Sequence, residues 1–498
     1  MADRDAIATS RPRRITEAQL ALALVVATLV VLTAALVYQL GDTAFIRGDG
    51  DLYLRDAGRV AAGDLPRSRY SPGFALFLAP ILLVTDDPAL AGNISLVVIA
   101  AVAVAALVLV YRFLVIWLRP LLAALAIVVL ALNQGSVTYF AEVRPEALML
   151  LLVTAMFLAL RRERGWLAIA LGAVAIVLRI AVLPLVVVTL AVWAWRRPRL
   201  LAAAAVLCGL ALVVDFANQP SYDEDYLEIG GTAFTGEAGL SERGTAVLET
   251  ARDGAVAYGR YGLPRFVWPY RVLASPAGLV LGPVTTLAMA AGLVVLVRRR
   301  GPPEDEPDEL LLRAAVLGTA AYVAALLIWP MRLLAAIRLS LPIAPIALLG
   351  LGIAVLVVSR RLRPQSGALP LTLAALLAAV TVLGGATAVR DHAGDDSGGD
   401  GFVEAHVEAQ RRLPPGRVVS DEAGATELLL HRTAFEYPFR QNIADFARRV
   451  EACTFVVTPA VGDATVAWIR EHSVDTIAAR GAVEIVTVDQ PWCSSGGT

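Results

Sequence analysis

Long apolar runs dominate the chain, and arginine clusters punctuate them. Many runs of Ala, Val and Leu approach the ~20 residues that a helix needs to cross a bilayer core of ~30 Å. The clusters are Arg11/Arg13/Arg14, Arg112/Arg119, Arg161/Arg162/Arg164, Arg196/Arg197/Arg199, Arg298 to Arg300, and Arg360/Arg361/Arg363. Cytoplasmic loops carry an excess of basic residues. Placing all six clusters inside puts spans at 18–40, 88–111, 120–141, 145–160, 165–178, 180–195, 199–216, 275–297, 310–330, 339–358 and 369–389. The pattern predicts an all-α polytopic membrane protein with about eleven crossings, N-terminus cytoplasmic and C-terminus outside.

Two stretches test that scheme. Residues 165–195 are apolar apart from Arg179 and are flanked by arginine on both sides. Two inside flanks require an even number of crossings. About 31 residues give roughly 46 Å of helix, long for one span and short for two. Two short helices meeting near Arg179 satisfy the parity and put Arg179 at the outer surface. Pro72 to Val84 is too short to span comfortably, so it reads as a re-entrant or interfacial helix on the outer side.

The remaining polar segments fall outside. Residues 1–17 form a cytoplasmic tail, and 18–389 form the membrane domain with outer loops at 41–87 and 217–274. A Gly/Asp-rich linker at 390–401 precedes a domain at 402–498. There, β-type runs (Arg417–Ser420, Thr454–Thr458, Val483–Val488) alternate with helical stretches (Phe402–Arg412, Ile443–Cys453, Asp463–His472), which predicts a small α/β domain. No internal repeat is visible. The first apolar run, Leu20 to Leu40, lacks a clear cleavage site and reads as a retained anchor.

Composition agrees. The 498 residues are 57% hydrophobic, above the ~45–50% of soluble domains. The net charge of −1 gives no footprint for nucleic acid. Every basic residue is arginine; with the Ala, Val, Leu and Gly richness this reflects a GC-rich genome rather than a function. Cys208 lies in an apolar run, as a core residue would. Cys453 and Cys493 share the C-terminal domain, where a disulfide can form if that domain lies outside. The four histidines all follow the last span and match no metal spacing. Without a Walker motif, a nucleotide fingerprint or a serine-nucleophile signature, the chain reads neither as an ATP-driven pump nor as a transferase using a cytoplasmic nucleotide sugar.

The candidate chemistry gathers on one side. Asp49 and Asp51, in the first outer loop, could take a proton from a hydroxyl nucleophile or hold a divalent cation. From composition alone the plainer reading is ordinary loop aspartates beside glycines, since short Asp/Gly stretches are common in turns. Arg144, Arg179, Arg332 and Arg338 lie at outer helix ends, where a guanidinium fork could bind an anionic group such as a lipid phosphate. The plainer alternatives are snorkelling and pairing with Glu142 and Glu146. Tyr258, Tyr261, Phe266, Trp268 and Tyr270 suit an interfacial aromatic belt.

The first loop also resembles that of the GT-C superfamily of membrane glycosyltransferases. Asp49/Asp51 are followed by Tyr53, an Ala-rich helix over Asp56 to Ala62, Gly63 with Leu65-Pro66, and Tyr70-Ser71-Pro72-Gly73. Val143-Arg144-Pro145-Glu146, Gly172 through Arg179 to Pro184, and Arg338 to Pro342 with Pro345 resemble later landmarks of that family, in order. The chain departs from it in carrying Asp-Gly-Asp rather than adjacent acids, and Ser-Pro-Gly rather than Pro-Pro-Gly. The resemblance implies a polyprenyl-phosphate-linked sugar donor and an extracytoplasmic acceptor glycan, lipid or protein, with membrane lipids around the site. It implies a catalytic base in Asp49 or Asp51 and phosphate binding by Arg144, Arg179 and Arg338. Tyr53, Tyr70 and Glu146 would line the substrate site. A single inverting displacement is expected, with no cofactor; a metal is not expected for a monophosphate donor, although Asp49/Asp51 leave one open. The rival classes are a lipid-linked-sugar transporter or flippase, which would need charges along a path or repeated broken helices, and a non-catalytic envelope assembly protein.

Overall fold

The computed structural model describes residues 16–40, 49–64, 70–218, 240–299, 307–328, 335–363, 368–392, 402–413, 416–432, 434–437, 442–490 and 492–493. Arg332 and the 393–401 part of the expected linker lie outside these residues.

Each expected span is helical. The first three are α1 (Glu17–Val37), α4 (Pro88–Leu114), and the pair α5 (Pro120–Leu132) and α6 (Gln134–Phe140). Then come α7 (Glu146–Arg161), α8 (Gly165–Leu178), α9 (Leu183–Ala194) and α10 (Pro198–Asn218). After α11 (Leu240–Val256) and α12 (Tyr270–Ala274) follow α13 (Gly278–Arg299), α14 (Pro307–Ile328), α15 (Ala335–Ser340), α16 (Ala344–Leu362) and α17 (Leu369–His392). Among the described residues, seven helices are individually long and apolar enough to cross a bilayer, and the α5/α6 pair makes an eighth candidate with a 60° bend. The bend has a local cause. Asn133 is extended and caps α6 through Ser136 N–H at 2.8 Å, while its amide donates to the Leu130 carbonyl at 2.7 Å. Its side chain thus ends one helix and starts the next.

The stretch 165–195 is two short helices, as parity requires. Helix α8 stops at Arg179, whose backbone is extended (φ −164°, ψ 109°), and a single 3-10 turn at Ile180–Val182 leads into α9. Fourteen residues give only about 21 Å of helix, so the break sits well inside the length of neighbouring helices.

Two helices lie beside the bundle at the end opposite the arginine clusters: α2 (Gly50–Ala61) and α3 (Pro72–Leu82), which pack on each other. Helix α3 is the short apolar segment expected at 72–84. At Gly73 a Cβ would stand 2.7 Å from the Val177 carbonyl oxygen, so only glycine lets α3 approach the end of α8 this closely.

The last bundle helix runs on to His392, slightly past the expected end at 389. The C-terminal domain then forms a five-stranded mixed sheet in the order β2-β1-β3-β5-β4. The strands are β1 (Arg417–Ser420), β2 (Ala434–Glu436), β3 (Ala452–Val457), β4 (Ser473–Arg480) and β5 (Val483–Val488). β1 runs parallel to β2 and β3, while β5 is antiparallel to β3 and β4. Helices α18 (Phe402–Gln410) and α19 (Ala423–Leu430) share one apolar core with the bundle; α20 (Ile443–Val450) and α21 (Asp463–His472) cover the other sheet face. Within this domain three elements exceed the sequence reading, β2, β4 and α19; in the expected outer loop 217–274, helices α11 and α12 do so too. Cys453 and Cys493 form a disulfide, and Cys208 is a buried free thiol.

Candidate functional site

The candidate residues converge where α2, α7, α8 and α15 meet. Arg338 on α15 is the hub. Its Nη1 lies 2.5 Å from Asp49 Oδ2, its Nη2 donates to the Tyr53 hydroxyl at 3.2 Å, and its Nε donates to Glu146 Oε1. Arg179 Nη1 reaches the same Glu146 oxygen at 2.5 Å. Arg144 lies 2.6 Å from Glu142 and 4.0 Å from Asp49. Glu146 is 1% exposed, so both guanidiniums meet a carboxylate removed from water. Pairing is what makes that burial tolerable.

The chain breaks are what bring these groups together. Extended Arg179 ends α8 and frees its side chain to reach the head of α7. Ser71 Oγ accepts from Ile180 N–H at 3.3 Å, and the Tyr70 carbonyl accepts from Asn218 at 3.1 Å. The Tyr70-Ser71 turn is therefore stitched to the same break. The Tyr53 and Tyr70 rings lie 4.8 Å apart, and Phe74 meets Tyr53 edge-on at 4.9 Å.

Electrostatics separate the two aspartates. Burial alone would raise the Asp49 carboxyl, but Arg338, Arg144 and Arg179 overcome it and hold it below the usual carboxylate range. Asp49 is thus ionised at neutral pH. Asp51, 1% exposed, turns elsewhere: its Oδ2 accepts from Ala425 N–H of the α/β domain at 2.9 Å. Burial pushes Asp51 up to about 7, against the pull of the Leu52 and Ala425 N–H groups and Arg55. The two carboxylates therefore do not converge on one point. Among the described residues no group of three or more His, Cys, Asp or Glu side chains is placed to hold a metal ion. Burial likewise lifts the Tyr53 phenol to about 12, so it stays protonated.

Among the described residues, three guanidiniums face three carboxylates here. One further cation escaped the sequence reading. Arg265 lies over the Tyr270 ring at 5.2 Å, and its buried Nε has no hydrogen-bond partner among the described residues. Burial lowers its affinity for a proton, and only Tyr139 and Tyr270 oppose that. Tyr139 joins it to the cluster, since the Arg144 guanidinium sits 5.4 Å from the Tyr139 ring. The available signal was one arginine amid Leu263-Pro264-Arg265-Phe266-Val267, masked by the belt-like aromatics around it.

This architecture has solved counterparts. Solved structures of GT-C membrane glycosyltransferases share this fold. ArnT from Cupriavidus metallidurans in the apo state matches with a TM-score of 0.56 and 13% identity over 96% of this chain and 100% of that one. The same protein bound to undecaprenyl phosphate gives 0.55 and 14%, over 96% and 99%. The oligosaccharyltransferase AglB from Archaeoglobus fulgidus, in complex with an inhibitory peptide and a dolichol-phosphate, gives 0.50 and 13%, over 87% and 69%. No protein-family model and no curated sequence matches the chain.

Proposed function

We propose that this protein is a membrane glycosyltransferase that moves a sugar from a polyprenyl-phosphate donor to a hydroxyl of an extracytoplasmic acceptor. The observation that carries the reading is the Asp49–Arg338–Glu146–Arg179 cluster, partly buried around the fully buried Glu146, at the α/β-domain end of a GT-C bundle. Two of the solved structures of this fold hold a polyprenyl-type phosphate, dolichol-phosphate or undecaprenyl phosphate, which supports the donor class.

In this reading Asp49 is the general base. It is ionised, and the Arg338 contact aims its carboxylate. The acceptor hydroxyl gives its proton to Asp49 as its oxygen attacks the anomeric carbon. The bond to the phosphate oxygen breaks, its electron pair stays with the polyprenyl phosphate, and the configuration inverts in this single displacement. Arg144, Arg179 and Arg338 carry the developing phosphate charge. Those three are already paired with carboxylates, and Arg265, whose buried Nε has no hydrogen-bond partner among the described residues, is a further cation for an anionic donor. Tyr53, Tyr70 and Glu146 line the sugar and keep the arginines in register. No step calls on a cofactor or metal.

The orientation follows the basic-inside bias, with the N-terminus cytoplasmic and the α/β domain outside. The Cys453–Cys493 disulfide supports that side, since such bonds persist in oxidising compartments. The sugar, the acceptor and the polyprenol are to be found by assay. Purified protein in liposomes, given a panel of undecaprenyl-phosphate hexoses and pentoses with cell-envelope acceptors, is expected to release free undecaprenyl phosphate in step with glycosylated product. Flux of intact donor across the bilayer without product would instead make it a flippase.

A further inference from the structure

Helix α2 presents different faces to two parts of the molecule. Tyr53 on the helix and Asp49 just ahead of it meet Arg338. Asp51, Arg55 and Arg59 recur every four residues, so they form a stripe along a separate face. That stripe meets the α/β domain. Asp51 accepts from Ala425 N–H at 2.9 Å, and Arg59 Nε and Nη2 both reach Glu427 Oε1, at 3.2 and 2.7 Å. Arg55 lies within the field of Glu427 as well.

These contacts complete α19. Ala425 lies in its first turn, where backbone N–H groups lack intrahelical partners. Its own N-cap residue, Glu422, makes no side-chain cap bond. Asp51 therefore supplies, from the membrane domain, an acceptor that α19 does not provide for itself. Glu427 also ties inward, its Oε2 accepting from Ala434 N–H of β2 at 3.4 Å. Helix α2 has 12 residues, and helices of that length are marginal alone. Its direction is set by what it packs against: α3 on one side and α19 on the other.

We propose that the α/β domain is a positioning element for sugar transfer: Asp51 and Glu427 fix α2 at both ends and so hold the Asp49 carboxylate against Arg338. The inference rests on Asp49 being the base. It gives the domain a task in the reaction and makes Asp51, Arg59 and Glu427 positioning residues. A displacement of ~1 Å in a reacting group costs on the order of a hundredfold in rate, so loosening one anchor of α2 is enough to be read kinetically.

The test uses full-length protein in lipid nanodiscs with Glu427→Gln, Arg59→Gln and the swap Arg59→Glu/Glu427→Arg. Hydrogen exchange over residues 50–61 is measured without substrate. Turnover is measured with the undecaprenyl-phosphate sugar that the wild type uses, and Asp49→Asn is run alongside. Both single variants are expected to exchange faster over 50–61, to lose about tenfold or more in kcat, and to keep KM for the donor within about threefold. The swap restores both readouts. Unchanged exchange in the single variants overturns the proposal whatever the activity, as does faster exchange at wild-type kcat. A rise in KM alone, or a swap as poor as the single variants, also overturns it. If Asp49→Asn transfers like the wild type, the base assignment has failed instead, and exchange alone then judges whether the domain holds α2.

Discussion

Arg338 and Asp49 are 289 positions apart in the chain, yet Arg338 Nη1 lies 2.5 Å from Asp49 Oδ2. The contact joins the first loop of the membrane domain to the helix preceding its penultimate span. The same guanidinium spans Glu146 and Tyr53, a planar fork serving three acceptors. Lysine keeps the charge but lacks the fork. Arg338→Lys is therefore expected to lower sugar transfer by about a hundredfold, in the range for removing one stabilising donor, while the protein still folds. Near wild-type turnover in liposomes would show that charge alone suffices.

Glu146 is the shared acceptor of Arg338 and Arg179 and is 1% exposed. Glu146→Gln leaves two partly buried guanidiniums facing a neutral amide. Breaking a buried pair from one side costs roughly 3–5 kcal/mol. The detergent-solubilised variant should melt well below the wild type, and adding Arg179→Gln should recover part of the loss. Equal melting temperatures for Glu146→Gln and wild type would count against the buried network.

The Cys453–Cys493 disulfide closes a separation of 40 residues. Chain-entropy reasoning assigns about 4 kcal/mol to a loop of that length. Reduction, or Cys453→Ser, is expected to lower the unfolding temperature of the α/β domain while the bundle helices keep their circular-dichroism signal. An unaltered domain transition under reduction would contradict this.

The docking of α2 on the α/β domain should depend on pH through Asp51. Its pKa is raised by burial from an unfolded value near 3.9 to about 7. Between these values the undocked state has released the proton and the docked state still holds it. Docking therefore weakens as pH rises from about 4 to about 7, then levels off. His406 acts oppositely within the domain: buried between Phe402 and Thr426, its pKa falls to about 4. Its contribution is lost as pH drops from about 6.5 through 4. Hydrogen exchange over 50–61 across this range should show the Asp51 trend, and Asp51→Asn should abolish it.

Much of this was legible in the sequence because the signals are local. Apolar length placed the bundle helices, and Arg179 flanked by two short runs marked the break that α8 and α9 make. The Tyr70 to Gly73 motif carries its own physics: Ser71 bonds the Arg179 break, and Gly73 admits the Val177 carbonyl. The pairing of Arg144 with Glu142 was likewise within reach of short spacing. What stayed hidden is non-local. Nothing near Asp51 says that Ala425, 374 positions away, donates to it, so Asp49 and Asp51 looked equivalent. Helix α19 was missed because Ala-Gly-Ala-Thr-Glu-Leu-Leu-Leu is short and opens on small residues. Its stability comes from contacts with α2 and α18. Strand β4 was missed because its burial is mostly low, leaving little alternation to read.

The central claim is that Asp49 takes the acceptor proton while Asp51 holds the domain, and one comparison separates them. Sugar transfer by wild type, Asp49→Asn and Asp51→Asn is measured in liposomes with the same donor and acceptor. Asp49→Asn should lose about a hundred- to ten-thousandfold in kcat, the usual worth of a general base. Asp51→Asn should retain measurable turnover, since asparagine still offers an oxygen to Ala425 N–H. Transfer that persists near wild-type rates in Asp49→Asn, or that vanishes only in Asp51→Asn, would contradict the account.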